Sequence, residues 1–291
     1  MHIGFIGTGI MGSRMAANLQ KHGCPLIVHN RTPEKAGALI QNGATWAATP
    51  AAVAEQVDVL FTILAHPAAV RETALGPDGF LDHLSPGALW VDCSTVNPSF
   101  SRTMAEAAQQ RQVGFVEAPV GGSKGAAESG ALMFIVGGEA DDIETCRPWF
   151  EMMGSRVVHA GPHGMATSLK LVLNHLLATS MAAFAEGLTL GQALGLPQEM
   201  LLNTLLGGPV VPPFVSMKRD KLEQGDYEAD FPLRWMQKDL QMTSIAAYEA
   251  GVALPVSNVT KEIYQLAVRH GLGDEDFSAI YRFLHETAGA A

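Results

Sequence analysis

The chain has 291 residues, 47% hydrophobic and only 16% charged, with 19 basic against 29 acidic side chains and a formal net charge of −10. This composition supports one large or two ordinary packed domains and excludes a disordered chain, and the acidic balance argues against a nucleic-acid surface. Cys24, Cys93 and Cys146 lie far apart without a CxxC pair, so neither a disulfide framework nor a zinc site is expected, and a reducing cytoplasm fits.

Met1 and His2 lead straight into Ile3-Gly4-Phe5-Ile6, without the basic stretch and cleavage site of a signal peptide. Short apolar runs over 3–6, 26–30, 57–64, 88–93, 114–120, 132–136 and 156–160 predict strands buried on both faces, as in a parallel sheet. Segments 13–21, 33–42 and 50–56 read as helices between them. The β-α-β-α order predicts a doubly wound α/β domain over residues 1–163.

The texture changes after Gly161-Pro162-His163-Gly164. No turn signal interrupts the chain from Met165 until Gly195-Leu196-Pro197, which predicts a helix of roughly 30 residues and about 45 Å. Its stretch 171–190 has the length of a membrane span, but a span would bring Asn174, His175 and Glu186 into lipid, so a buried helix is expected. Further helices over 198–206, 215–223, 233–250, 256–270 and from Phe277 predict an all-helical domain over residues 164–291.

Gly7-Thr8-Gly9-Ile10-Met11-Gly12 follows the first strand directly and opens the first helix. Gly7 permits the tight turn, Gly9 lets backbone approach a pyrophosphate, and Gly12 packs helix against strand. The phosphates would meet the free N–H groups of the turn, Ile10 and Met11 included, at the positive end of the helix. At the end of the second strand, an NAD enzyme usually carries a carboxylate for the ribose 2′-hydroxyl. This chain carries His29-Asn30-Arg31-Thr32. Arg31 can fork onto a 2′-phosphate and stack on adenine, with Asn30 and Thr32 as neutral donors, so the expected cofactor is NADP(H). Leu64 and Ala65, at the end of the third strand, are expected to line the same cofactor. Ser94 and Thr95 follow the fourth strand, where ligands of α/β sheets bind, and Gly121-Gly122-Ser123 follows the fifth as a candidate anion nest.

Five blocks in order, GTGIMGSRMAAN from Gly7, DCSTVNP from Asp92, EAPVGGSKGAAESGAL from Glu117, GMATSLKLVLN from Gly164 and Lys238-Asp239-Leu240, give the chain a resemblance to the β-hydroxyacid dehydrogenase, or 3-hydroxyisobutyrate dehydrogenase-like, family over nearly its whole length. Segments 29–35, 231–239 and 271–278 look most like the NADPH-dependent glyoxylate/succinic semialdehyde reductase branch. The resemblance implies a Rossmann domain and an all-α domain joined by a long interdomain helix, with the active site in the cleft between them. It also implies Lys170 as the catalytic lysine, Asn174 as a neighbouring substrate residue, Lys238 near nicotinamide and substrate, Thr95 near the nicotinamide ribose, and Phe231 and Asp239 closing the pocket. The family usually has serine where this chain has Gly121. That removes a hydroxyl donor and adds space, and it leaves the substrate's acid group open between carboxylate and sulfonate.

Lys170 and Asn174 are four apart and share a helix face. A lysine ammonium there can protonate a carbonyl oxygen as hydride reaches the carbon, a contribution of ~10²–10⁴-fold. A helical lysine more often only snorkels at a helix entrance, and spacing alone does not decide between the two. The resemblance favours catalysis: NADPH-dependent reduction of small aldehyde or keto acids to hydroxy acids. An imine reductase on the same fold, whose members commonly lack the lysine, a decarboxylating enzyme of the 6-phosphogluconate type and a non-catalytic NADP-binding module are the competing readings. The scattered His66, His159, His163 and His175 offer no metal spacing. A homodimer or homotetramer is expected, because the long helix is apolar over more length than one small domain covers.

Overall fold

Apolar runs too short for helices become strands: β1 (Ile3–Ile6), β2 (Leu26–His29), β3 (Thr45–Trp46), β4 (Val59–Thr62), β5 (Leu89–Asp92), β6 (Gly114–Glu117), β7 (Val120–Gly121), β8 (Leu132–Gly138) and β9 (Gly154–Gly161). The structure is a computed structural model and describes residues 2–288. Two units are separable, Met1–Lys170 and Leu171–Ala291.

In the first unit the described strands form one sheet in the order β3-β2-β1-β4-β5-β6-β8-β7, with β9 beside β8. From β3 to β6 all pairings are parallel, and the order reverses between β1 and β4. The expectation of a parallel sheet needs one correction. The run over 114–120 stops at Glu117 and resumes as β7, because Pro119 has no N–H to give to a ladder. Strand β8 then returns antiparallel to both β6 and β7. Helices α1 (Gly12–Lys21), α2 (Gly37–Gln41), α3 (Pro50–Ala54), α4 (Pro67–Leu75), α5 (Pro98–Gln109), α6 (Lys124–Glu128) and α7 (Ala140–Met153) cover the two faces. Alternate side chains of each strand enter opposite cores. One core gathers Phe5, Phe61, Phe134 and Phe150, the other Ile6, Leu60, Trp90 and Phe115.

Helix α8 (Met165–Ala193) is one continuous rod, and the division between the units falls within it, after Lys170. By length and composition it could cross a bilayer. Its residues Met181, Phe184 and Leu188 instead join the core of the second unit, with Leu233, Met236, Leu240, Tyr264 and Ile280. The remaining helices are α9 (Gln198–Leu205), α10 (Pro213–Ser216), α11 (Arg219–Gln224), α12 (Leu233–Glu249), α13 (Pro255–Ala267) and α14 (Ile280–Ala288). The helix expected over 215–223 is two short ones. Lys218 leaves helical geometry at φ −97°, ψ 1°, and its side chain turns inward to a buried carboxylate. The helix expected to run to His270 ends at Ala267 and unwinds through a wider turn, where Gly271 takes φ +89°.

Candidate active site

The glycine turn follows β1 at the point where the strand order reverses, the ligand-binding position of open α/β sheets. Gly7 has φ +99°, and a Cβ there would lie 2.3 Å from the Ile63 carbonyl oxygen. A Cβ on Gly12 would lie 1.9 Å from the Gly7 carbonyl oxygen, so the helix starts hard against the turn. Gly9 differs: a Cβ there meets no protein atom within 4 Å, so packing does not require its glycine. A pyrophosphate pressed against the backbone does. Helix α1 has no capping side chain and no acid in its first turn, leaving its positive end to an anion. Ile10 is exposed and Met11 half-buried beside it. The Thr8 hydroxyl is buried with no hydrogen-bond partner among the described residues. These features fit a dinucleotide.

At the end of β2, Asn30 does something the sequence hides. Its Oδ1 accepts from the Thr8 N–H at 3.0 Å and its Nδ2 donates to the Thr32 carbonyl at 2.8 Å. The amide expected to donate to the cofactor thus latches the glycine turn to the segment carrying Arg31. Arg31 and Thr32 are exposed, and the Arg31 guanidinium has no hydrogen bond or ion pair among the described residues.

The ends of β4 and β5 are tied by a buried network. Asp92 Oδ1 accepts from the hydroxyls of Thr62 (2.8 Å) and Ser94 (2.6 Å) and from the Ser94 N–H (3.1 Å), while Trp90 donates to Thr62 (2.9 Å). Burial raises the Asp92 carboxyl above the ordinary range, and these hydrogen bonds oppose the shift. The Ser94 hydroxyl also accepts from the Leu64 N–H at 2.8 Å. Ser94, expected to meet substrate, therefore has its hydroxyl engaged on both sides and braces the loop of Leu64 and Ala65. Thr95, next to it, is half-buried.

Gly121 ends β7 directly opposite Met133, whose Cε would lie 2.8 Å from a Cβ at position 121. Gly122 and Ser123 are exposed, and the Ser123 hydroxyl has no hydrogen-bond partner among the described residues. Asn18 of α1 holds the segment after them, donating to the Ala127 carbonyl at 2.7 Å.

Glu117 carries the most connected carboxylate of this unit, and sequence reasoning gave it no role. It is buried and accepts from Ser101 Oγ (2.5 Å), the N–H groups of Gly164 and Ala166 (both 2.8 Å) and Thr167 Oγ1 (3.2 Å). A carboxylate thus caps the positive end of α8, fixing where the helix starts and where half-buried Lys170 lies along it.

In the second unit, Asn174 is buried and donates from Nδ2 to Asp239 Oδ2 at 2.5 Å; Asp239 Oδ1 pairs with the Lys238 ammonium at 2.6 Å. This joins three of the predicted residues, one from α8 and two from α12. Phe231 precedes α12 and packs its ring 5.9 Å from that of Phe277. Among the described residues, no group of three or more His, Cys, Asp or Glu side chains is placed to hold a metal ion.

Glycine turn, helix end and strand order define a dinucleotide-binding protein of the doubly wound class, and comparison with known proteins places it more closely. The family profile for the NAD-binding domain of 6-phosphogluconate dehydrogenase matches residues 2–161. That for NAD binding of NADP-dependent 3-hydroxyisobutyrate dehydrogenase matches residues 164–284. Glyoxylate/succinic semialdehyde reductase 2, chloroplastic, of Arabidopsis thaliana is 36% identical over 97% of this chain and 79% of its own length. The cytokine-like nuclear factor N-PAC of Xenopus tropicalis is also 36% identical, but this chain spans only 53% of it. The structure of 3-hydroxyisobutyrate dehydrogenase from Mycobacterium tuberculosis with L-serine superposes with a TM-score of 0.86 at 28% identity, over 98% of this chain and 99% of that one. The chain belongs to the β-hydroxyacid dehydrogenase family, whose members are NAD(P)-dependent oxidoreductases acting on CH–OH groups.

Proposed function

We propose that this protein is an NADPH-dependent reductase of small aldehyde or keto acids, with Lys170 as the proton donor. The observation that carries the reading is the chain of α8 and α12 side chains. Lys170 lies one turn before Asn174, and Asn174 is hydrogen-bonded to Asp239, itself paired with Lys238. When bound, the dihydronicotinamide supplies hydride to the carbonyl carbon. The Lys170 ammonium gives its proton to the carbonyl oxygen, which stays on the carbon as the hydroxyl of the product, and water reprotonates the amine. Asn174 orients substrate, and Asp239 orients Asn174 and Lys238. Thr95 serves the nicotinamide ribose, and Gly121, Gly122 and Ser123 serve the acid end, which needs fixed donors, with the carboxylate-or-sulfonate choice set by the space at Gly121. Arg31, exposed and without a partner among the described residues, stands where NAD enzymes place a carboxylate and supports NADPH over NADH.

Three unpaired cysteines support a cytoplasmic setting. Exposed Val172, Leu176 and Leu190 on α8 and Leu194 just after it, with Val256, Val259 and Leu266 on α13, support a homodimer or homotetramer. Light scattering behind size exclusion tests this; a monomer at every concentration refutes it.

The decisive experiment is initial-rate NADPH oxidation against succinic semialdehyde, glyoxylate, methylmalonate semialdehyde, tartronate semialdehyde and a sulfonated aldehyde, with NADH and Lys170→Ala in parallel. Turnover with an acid-bearing aldehyde, preferring NADPH and falling ~10²–10⁴-fold in the variant, is the expected result. Tight NADPH binding without turnover refutes it and favours an imine substrate or a non-catalytic module.

A further inference from the structure

The second unit contains a buried charged centre outside the residues assigned to chemistry. Asp276 is fully buried and accepts five hydrogen bonds. Its Oδ2 takes the Lys218 ammonium (2.9 Å) and the N–H groups of Asp230 (3.1 Å) and Phe231 (3.3 Å), and its Oδ1 takes the Ser278 N–H (3.1 Å) and hydroxyl (2.7 Å). Lys218 is itself buried, also meets Asp230 Oδ2 at 3.2 Å, and lies over the Phe277 ring at 5.1 Å. The backbone repeats the attachment. Phe277 N–H donates to the Phe231 carbonyl, and Asp276 N–H to that of Tyr227, both at 2.9 Å. The first N–H groups of α12, on Leu233 and Arg234, donate to the carbonyls of Glu275 (2.7 Å) and Gly273 (3.0 Å).

We infer that Asp276, clamped by Lys218, is a positioning residue of the reductase site: it fixes the loop that carries Phe231 and the start of the helix that carries Lys238 and Asp239. The inference rests on the reading above, in which those three residues serve substrate and cofactor. A buried ion pair is a poor device for stability alone, since apolar residues of similar volume often replace it without loss. Such residues cannot supply direction. Two oxygens that collect donors from positions 218, 230, 231 and 278 set the distance and rotation between segments far apart in the chain. Lys238 lies between one and two turns into α12, so a tilt at the helix start moves its ammonium and the partner of Asn174 together. Catalytic geometry is sensitive to displacements of about 1 Å, at a cost on the order of 10²-fold.

Two double variants separate direction from burial. Lys218→Met with Asp276→Asn removes both charges and keeps an acceptor for the 230 and 231 N–H groups. Lys218→Met with Asp276→Leu removes the acceptor as well. The Leu form is expected to melt lower, because the 230, 231 and 278 donors lose a buried acceptor, so both forms are assayed well below their melting temperatures and at saturating NADPH. The Asn form is expected to keep kcat within about threefold, and the Leu form to lose kcat by on the order of 10²-fold. A folded Leu form with kcat within threefold of the parent overturns the proposal. If the Leu form does not fold, hydrogen exchange on the unaltered holoenzyme decides. Amides of Asp230 and Phe231 protected like the interior of α12 support the inference, and exchange at open-loop rates overturns it. Phe231→Ala and Lys238→Ala keep the two failures apart. If both are harmless, the functional reading fails; if both impair turnover while the Leu form does not, only the positioning inference fails.

Discussion

The glycine turn after β1 and the Asp276 centre before α12 do the same task by opposite means. At the turn, position is set by backbone: Gly7 N–H donates to the His29 carbonyl at 3.0 Å, and α1 starts against the Gly7 carbonyl because Gly12 has no side chain. Around Asp276, position is set by one charged side chain that collects donors from three segments. The two constructions therefore fail in opposite ways. A backbone-built site is damaged by adding one carbon, whatever its chemistry. A site hung from a carboxylate is damaged by removing the acceptor, even when volume is kept.

The sharpest test of that contrast lies within the turn itself. Gly12→Ala places a carbon where the Gly7 carbonyl lies and is expected to cost about 3–5 kcal/mol in urea unfolding, with cofactor binding lost. Gly9→Ala, where a Cβ meets nothing, is expected to stay within about 0.5 kcal/mol of the parent and still weaken NADPH binding at least ~10-fold. Equal destabilisation by the two would break the distinction. Glu117→Gln turns an acceptor for four donors into an amide, and a loss of about 2–3 kcal/mol is expected in the same measurement. Arg31→Ala is expected to raise KM for NADPH by ~10–100-fold, the worth of charge-assisted bonds to a phosphate, and to leave KM for NADH unchanged. The smallest effect concerns thiols. Burial pushes Cys146 up to about 12 and raises Cys93 well above the ordinary thiol range, whereas Cys24 is raised from a more open position. Iodoacetamide at pH 8 is expected to label Cys24 in the native protein, and Cys93 and Cys146 only after unfolding, as read by mass spectrometry.

The sequence made most of the sheet visible, because apolar runs such as 3–6 and 59–62 have no other stable use than a strand covered on both faces. It made α8 visible through its uninterrupted length. Helix α7 is harder to see, since it contains Pro148 and presents a mixed face to solvent. The break at Met217-Lys218 is invisible in the pattern, because a lysine reads as solvent-facing until its buried partner 58 residues away is known. The same limit applied to function. Asn30 and Ser94 stand at ligand-binding positions, but their hydrogen bonds go to Thr8 and to Asp92 and Leu64, 22 and up to 30 residues distant. Glu117 and Asp276 were present in recognised blocks, yet residue type gives a charge and no direction.

The capped start of α8 also bears on which lengths of chain the protein tolerates. From Met165, just after the Glu117 cap at Gly164, to Asn174 the backbone is continuous helix, in which each residue advances about 100° around the axis. A single insertion or deletion between the cap and Lys170 would swing the ammonium away from its direction by that angle, and no neighbouring loop could absorb it. Beyond Ala193, the turn at Gly195 absorbs such changes freely. Evolutionary change in this chain should therefore act as if the ten residues after Gly164 were a fixed gauge, open to substitution between Lys170 and Asn174 and closed to changes in length.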